Sequence, residues 1–294
     1  MPDYIIATSS TSDLPRSWLD AHHIPFIPYS FTVNGEEQED DCREESRAAM
    51  YAKMREGALL KTSMINSFAY TEFFRKLLDT GKNVLFLDMS REMSASYQNS
   101  VNAAEAVRPL YPDQELYVMD TRCISGGLGT LVDCLVRRME AGASFRDVIA
   151  WGEENKLKIA HRFTVDDLKY LKMGGRVSNA SALVGSLLGI KPVLYVPDRG
   201  TLDVVKKARG RKAALKAIRD GVFHDFAETD PTGTEVHILH ADCQADAERL
   251  RDEIKDAYPE TGEITITQLG VVIGAHCGPG LLTVFYLCGG RNPD

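Results

Sequence analysis

Short apolar segments alternate with longer amphipathic ones along the first half of this sequence, and that alternation restricts the fold more than any other feature. Tyr4–Ala7, Val84–Met89 and Leu116–Met119 read as strands. Helical patterns fall between and after them, at Arg43–Glu56, Ser67–Thr80, Ser94–Arg108, Gly126–Ala141 and Phe145–Glu154. Strands separated by helices of this length need crossover connections, which give a largely parallel sheet. Ser12-Asp13-Leu14-Pro15 offers a capping residue ahead of a proline and predicts a helix start. Ile24–Val33 reads as extended and runs into Asn34-Gly35, a tight-turn signal.

The second half has a different texture. Strands are expected at Lys158–Thr164, Lys191–Val196, Val236–His240, Glu263–Gln268 and Leu281–Leu287. Helices are expected at Asp166–Met173, stopped by Gly174-Gly175, and at Gly210–Ala227 and Ala245–Ala257. Asn179–Leu188 is rich in Ala, Ser, Gly and Leu, a composition that lets other groups approach a helix closely. The reading is two α/β domains, residues 1–157 with a largely parallel sheet and residues 158–294, packed directly because no low-complexity linker separates them.

With 294 residues, 44% apolar and 26% charged, the chain has the composition of an ordinary globular protein. A net charge of −8 argues against broad nucleic-acid binding. No apolar run reaches the ~18–20 residues that span a bilayer. The opening MPDYIIATSS lacks the basic start and apolar stretch of a signal peptide, so the expected location is the cytoplasm. Six scattered cysteines without a CxxC pair suit reduced thiols. His240 with Cys243, and His276 with Cys277, do not assemble the four ligands of a zinc site, and no metal is expected.

Walker, GxGxxG and GxSxG signatures are missing, and no catalytic residues are assigned. Hydroxyl-rich loops stand out instead, at Thr8–Ser12, at Thr62-Ser63, and at Ser90, Ser94 and Ser96. Open parallel sheets bind ligands at the carboxyl ends of their strands, where helix N-termini favour an anion. Each hydroxyl taken singly could instead be a helix cap. Ser125-Gly126-Gly127-Leu128-Gly129 follows a strand and opens a helix; its amides could bind an anion, or its glycines could serve a tight turn and close packing. Arg176 after two glycines could pair with a carboxylate or stay in solvent. His276, between apolar residues and a glycine-proline turn, could donate to an anion or be a histidine satisfied by backbone. Lys206, Lys207, Arg209, Arg211 and Lys212 form a basic cluster, either a solvated face or a docking patch.

As strings, these segments resemble the DegV family of bacterial fatty-acid-binding proteins. The resemblance is carried by STSDLP, KTSMINS, SREMSASYQNS, ISGGLG, DDLKYLKMGGRVSNASALVGSLLGIKPVL, KARGRKAAL and VIGAHCGPG, which together run through nearly the whole chain. It implies two α/β domains with an acyl chain buried between and within them. By motif position it implies head-group contacts from Thr62, Ser94, Arg176 and His276, with Ser63, Ser125, Gly126 and Gly127 as further polar contacts. It also implies a long-chain fatty acid as ligand, no cofactor, and a separate fatty-acid kinase subunit as partner, so that this chain is a carrier rather than an enzyme. Two positions depart from the family pattern. Ser9 stands where an aspartate is usual, and Arg91-Glu92 replaces a serine-glycine pair, which could narrow the mouth of the site or alter docking. A lipid sensor without a kinase, and a small-molecule kinase or hydrolase using the same cleft, are the competing readings.

Overall fold

The fold is described from a computed structural model, over residues 3–176 and 189–291. The segment Asn179–Leu188 lies outside the described residues. In chain order the first part runs β1 (Tyr4–Ser9), α1 (Arg16–Ala21), β2 (Phe26–Ile27), β3 (Ser30–Val33), β4 (Glu36–Glu39), α2 (Glu44–Arg55), β5 (Leu60–Thr62), α3 (Ser67–Leu78), β6 (Asn83–Asp88), α4 (Ser96–Val107), β7 (Leu116–Asp120), α5 (Gly126–Glu140) and α6 (Phe145–Asn155). It continues with β8 (Ile159–Thr164), α7 (Lys169–Met173), β9 (Ile190–Tyr195), β10 (Asp203–Arg209), α8 (Arg211–Glu228), β11 (Val236–His240), α9 (Gln244–Ala257), β12 (Ile264–Gln268), α10 (Val271–Cys277) and β13 (Leu282–Leu287).

Strands β2-β1-β6-β7 form a four-stranded sheet whose pairs are all parallel. The chain leaves β1 toward β2 on one side and later returns to β6 on the other, so the carboxyl end of β1 is a topological switch point. A six-stranded sheet, ordered β10-β9-β8-β13-β11-β12, is antiparallel except for the β11–β12 pair. A small antiparallel sheet, β4-β3-β5, completes the set. Helix α5 bridges the two large sheets: Gly126 lies against Phe285 of β13, Gly127 against His161 of β8, and Gly129 against the Ser12 carbonyl beyond β1.

Several local expectations change. The stretch Ile24–Val33 is two strands in different sheets, with Pro25 and Pro28 flanking the shorter one; proline cannot donate to a ladder. Asn34 and Gly35 both take positive φ, 52° and 90°, and close the β3–β4 hairpin as the turn signal predicts. Ser12 and Asp13 do not cap α1; Pro15 occupies that position without a side-chain cap. Asp13 instead turns into the left-handed region and receives a hydrogen bond from the Ser125 hydroxyl. Strand β4 reads EEQE and β10 reads DVVKKAR, too charged to announce themselves as strands.

The six-stranded sheet is tied to α8 by a buried ion pair. Arg162 donates from Nε and Nη2 to both carboxylate oxygens of Asp225, at 3.0 and 2.6 Å, and the Tyr286 hydroxyl donates to the same carboxylate. Removing one member would leave the other charge unpaired away from water. Asp225→Ala should therefore lower unfolding stability by roughly 3–5 kcal/mol in urea denaturation. A loss below about 1 kcal/mol, the range of an exposed pair, would contradict the structural role given to the pair.

Candidate functional site

A cavity of about 250 Å³ opens where the three sheets meet. Met89 and Met93 reach it from the end of β6, Ile124 and Ser125 from the turn before α5, and Thr62, Ser63 and Met64 from the end of β5. The other wall comes from the six-stranded sheet and its loops, through Phe163, Val196, Leu202, Leu281 and Phe285. Val272, Ile273, His276 and Cys277 close it from α10. Most of the surface is aliphatic, aromatic or thioether. That is the composition of a site whose affinity comes from burying hydrocarbon.

The polar groups form a connected set. Thr62 Oγ1 and His276 Nε2 are 2.8 Å apart. Gly174 lies against His276 Nδ1, two residues before Arg176, a spacing only a residue without a side chain allows. Arg176 donates from Nε to the Met93 carbonyl at 3.2 Å and from Nη1 to the Gly174 carbonyl. Met93 is followed by Ser94, whose hydroxyl donates to Ser96 Oγ at 3.0 Å. Ser96 Oγ in turn accepts from the Ile65 amide at 3.0 Å. Thr62, Ser94, Arg176 and His276, separated by up to 214 residues in sequence, thus line one cavity.

Its electrostatics are simple. Among the described lining residues Arg176 is the one permanent charge, and no carboxylate is present. No described carboxylate pairs with its guanidinium. Burial, followed by repulsion from Arg176, pushes the His276 imidazole down to about 4, so it is neutral at physiological pH. Its Nδ1 is buried without a hydrogen-bond partner among the described residues. The arrangement suits one monoanionic group held by a guanidinium, hydroxyls and a neutral imidazole.

The remaining expected contacts are distributed differently. Ser63 lines the cavity from an exposed position. Ser125 also lines it, but its hydroxyl is committed to Asp13. Burial pushes the Asp13 carboxyl up to about 7, offset in part by Arg47 and Ser125. Gly126 and Gly127 are not on the cavity wall. They pack against Phe285 and His161, so of the two readings of the glycine-rich turn the structure takes close packing. The hydroxyls of Ser9–Ser12 are buried and outside the cavity. Ser9 Oγ and Thr11 Oγ1 pair at 2.7 Å, and Ser10 Oγ accepts from the Tyr29 amide at 3.1 Å. Arg91 and Glu92 do not line the mouth either; they join Asp120 and Arg122 in a surface ion cluster.

Two residues escape sequence reasoning. Tyr29 lines the cavity, is 2% exposed, and its hydroxyl has no hydrogen-bond partner among the described residues. A tyrosine in an apolar run reads as core, and only the orphaned hydroxyl marks it. His161 also lines the cavity, but both of its nitrogens are spent: Nδ1 faces the Ile159 carbonyl at 2.9 Å and Nε2 accepts from the Ile124 amide at 3.2 Å. His240 is similarly engaged, its Nδ1 accepting from the Cys243 amide at 3.3 Å.

Residues 4–288 match the family described as uncharacterised proteins of the DegV family. The chain belongs to the DegV family. A DegV domain-containing protein of Clostridium perfringens is 38% identical over 296 residues, covering all of both chains. The structure of a fatty-acid-binding DegV family protein from Thermus thermophilus superposes with a TM-score of 0.87 at 28% identity, covering 98% of this chain and 100% of that one. A Thermotoga maritima protein whose structure reveals a fatty-acid-binding function superposes at 0.82, also at 28% identity and with the same coverage. The α/β architecture is the DegV architecture. Among the described residues, no helix is long and apolar enough to cross a membrane.

The neutral state of His276 has a measurable consequence. With a folded-state pKa near 4 it does not titrate between pH 6 and 8. The affinity of the parent and of His276→Gln for a carboxylate ligand should therefore differ by a constant factor across that range in calorimetry. A difference that grows as the pH falls through about 6.5, the ordinary histidine value, would show an imidazolium donor instead.

Proposed function

We propose that this protein binds a long-chain fatty acid, with the carboxylate at Thr62, Ser94, Arg176, His276 and Tyr29 and the tail along the apolar wall. The observation that carries this reading is an apolar cavity with a single cation and no described carboxylate at its polar end. Two DegV-family neighbours at 28% identity that bind fatty acids support it. Burying about fifteen methylenes at ~0.8 kcal/mol each gives a gross driving force of roughly 12 kcal/mol. Part of that is lost to ordering the chain and fixing the complex. The tail supplies affinity, while the polar cluster sets register and keeps the carboxylate from being buried unpaired. No further cofactor is needed for this role.

Protein purified from cells should yield a long-chain acid on solvent extraction and mass spectrometry. Arg176→Ala should keep the fold and bind that acid about tenfold or more weakly, since a charge-assisted hydrogen bond is worth roughly 1.5–3 kcal/mol. Unchanged affinity would make Arg176 a surface charge and remove the head-group assignment.

The carboxylate end of the cavity lies beside exposed Ser63, Met64 and Arg176, so the acid head would sit within reach of a second protein. On this basis the chain presents the acid to a separate kinase for acyl-phosphate formation, and the same donors would hold the added negative charge. The basic cluster is the surface that would meet such a partner, with one revision. Arg211 is tied to Asp166, Asp246 and the Gly280 carbonyl, and serves the fold. Lys206, Lys207 and Arg209 remain exposed on the edge strand β10. Lysines also blunt an edge strand against unwanted pairing, so their effect must be read in turnover. Reversing Lys206 and Lys207 to glutamate should slow kinase-coupled phosphorylation most at low salt and leave acid affinity unchanged. Equal turnover of variant and parent at low ionic strength would remove the patch as a docking surface.

A further inference from the structure

At the end of the six-stranded sheet away from the loops that line the cavity, α5 and β11 bring together three side chains with no part in it. Asp133 of α5, Glu235 just before β11, and His237 of β11 each offer a ligand atom, and these atoms lie within 4.8 Å of one another. None of the three lines the cavity.

Two observations separate this cluster from an ordinary surface ion pair. His237 faces Thr265 Oγ1 with its Nδ1 at 2.9 Å, while its Nε2 is buried and has no hydrogen-bond partner among the described residues. With Thr265 accepting from Nδ1–H, the lone pair on Nε2 is left without use, the state in which histidine ligates a metal. Second, the carboxylates crowd each other. Asp133 Oδ2 and Glu235 Oε2 both lie against the one Arg137 guanidinium. Arg137 donates to Asp133 at 2.9 Å and pairs with Glu235 at 2.6 Å from a half-exposed position, so it can leave for solvent. Arg137 spends these donors on the two acids, and Nε2 of His237 stays without a partner among the described residues. A small dication could engage all three groups.

We infer that Asp133, Glu235 and His237 form a binding site for a divalent cation of the zinc class, which clamps α5 to β11 and displaces Arg137. One imidazole nitrogen and two carboxylate oxygens suit zinc, with water as a fourth ligand. Because all three ligands come from packed elements, the ion binds the folded chain and stabilises it by mass action.

The test is a titration of zinc into the full chain after chelator treatment, followed by calorimetry and thermal unfolding. One ion per chain and a raised Tm are expected. His237→Ala should weaken binding at least tenfold and abolish the shift in Tm, and Arg137→Gln should tighten it by removing the competing cation. Cobalt in place of zinc should show no thiolate-to-metal charge-transfer band, since no cysteine belongs to the site. Should His237→Ala fail to fold, Glu235→Gln is expected to show the same weakening. Absence of stoichiometric zinc, equal affinity in parent, ligand and Arg137 variants, or a thiolate band would each overturn the assignment.

Discussion

The start of α5 touches three other parts of the molecule at once, and glycine at positions 126, 127 and 129 is what permits that approach. A β-carbon at these positions would run into Phe285, into His161 and into the Ser12 carbonyl, respectively. Larger residues would push the six-stranded sheet away from the parallel one. The cavity exists because the two sheets meet across this helix. Its wall alternates between residues that follow β6 and β7 and residues of β8, β13 and their loops. His161 shows how strictly the junction is built: its ring is fixed by two backbone hydrogen bonds while Phe285 meets it edge-on.

The chemistry of the site follows from what that junction leaves out. Apolar surface fills most of the wall, a neutral imidazole pairs with Thr62, and one guanidinium anchors itself on backbone carbonyls rather than on an acid. A cation so placed is complementary to a single negative charge attached to a hydrocarbon body. A more polar ligand would leave much of the wall in contact with groups it cannot bond. The unpartnered hydroxyl of Tyr29 and the unpartnered Nδ1 of His276 point the same way, because buried donors and acceptors are rarely left without use.

Much of this was readable from residue patterns, and the exceptions have physical reasons. The strand-helix alternation before residue 157 specifies a parallel sheet because only crossovers can connect such strands, and Asn34-Gly35 specifies a hairpin because both residues tolerate positive φ. Hydroxyl-rich loops, an arginine after two glycines and a histidine near a turn, together with their motif context, single out Thr62, Ser94, Arg176 and His276, which the structure brings to one cavity. Helix α10 was missed because its seven residues, VVIGAHC, carry no polar face to reveal a helical period. The hydroxyl-rich stretch Thr8–Ser12 reads as a binding loop, yet Ser9 Oγ pairs with Thr11 Oγ1 and Ser10 Oγ accepts from the Tyr29 amide inside the core, while Ser12 Oγ has no partner among the described residues. Sequence also cannot distinguish an amide that binds an anion from a glycine that admits a neighbour; for Gly126 and Gly127 only the position of Phe285 and His161 decides.

The account depends on a division of labour in which hydrocarbon burial provides affinity and the Arg176 cluster selects the anion. Calorimetry on delipidated protein, comparing long-chain fatty acids of increasing length with the methyl ester of one of them, addresses both halves in a single series. Affinity should rise with each added methylene until the cavity is filled, and the ester should bind about tenfold or more weakly than its acid. Equal binding of acid and ester, or no binding of any long-chain acid, would contradict it.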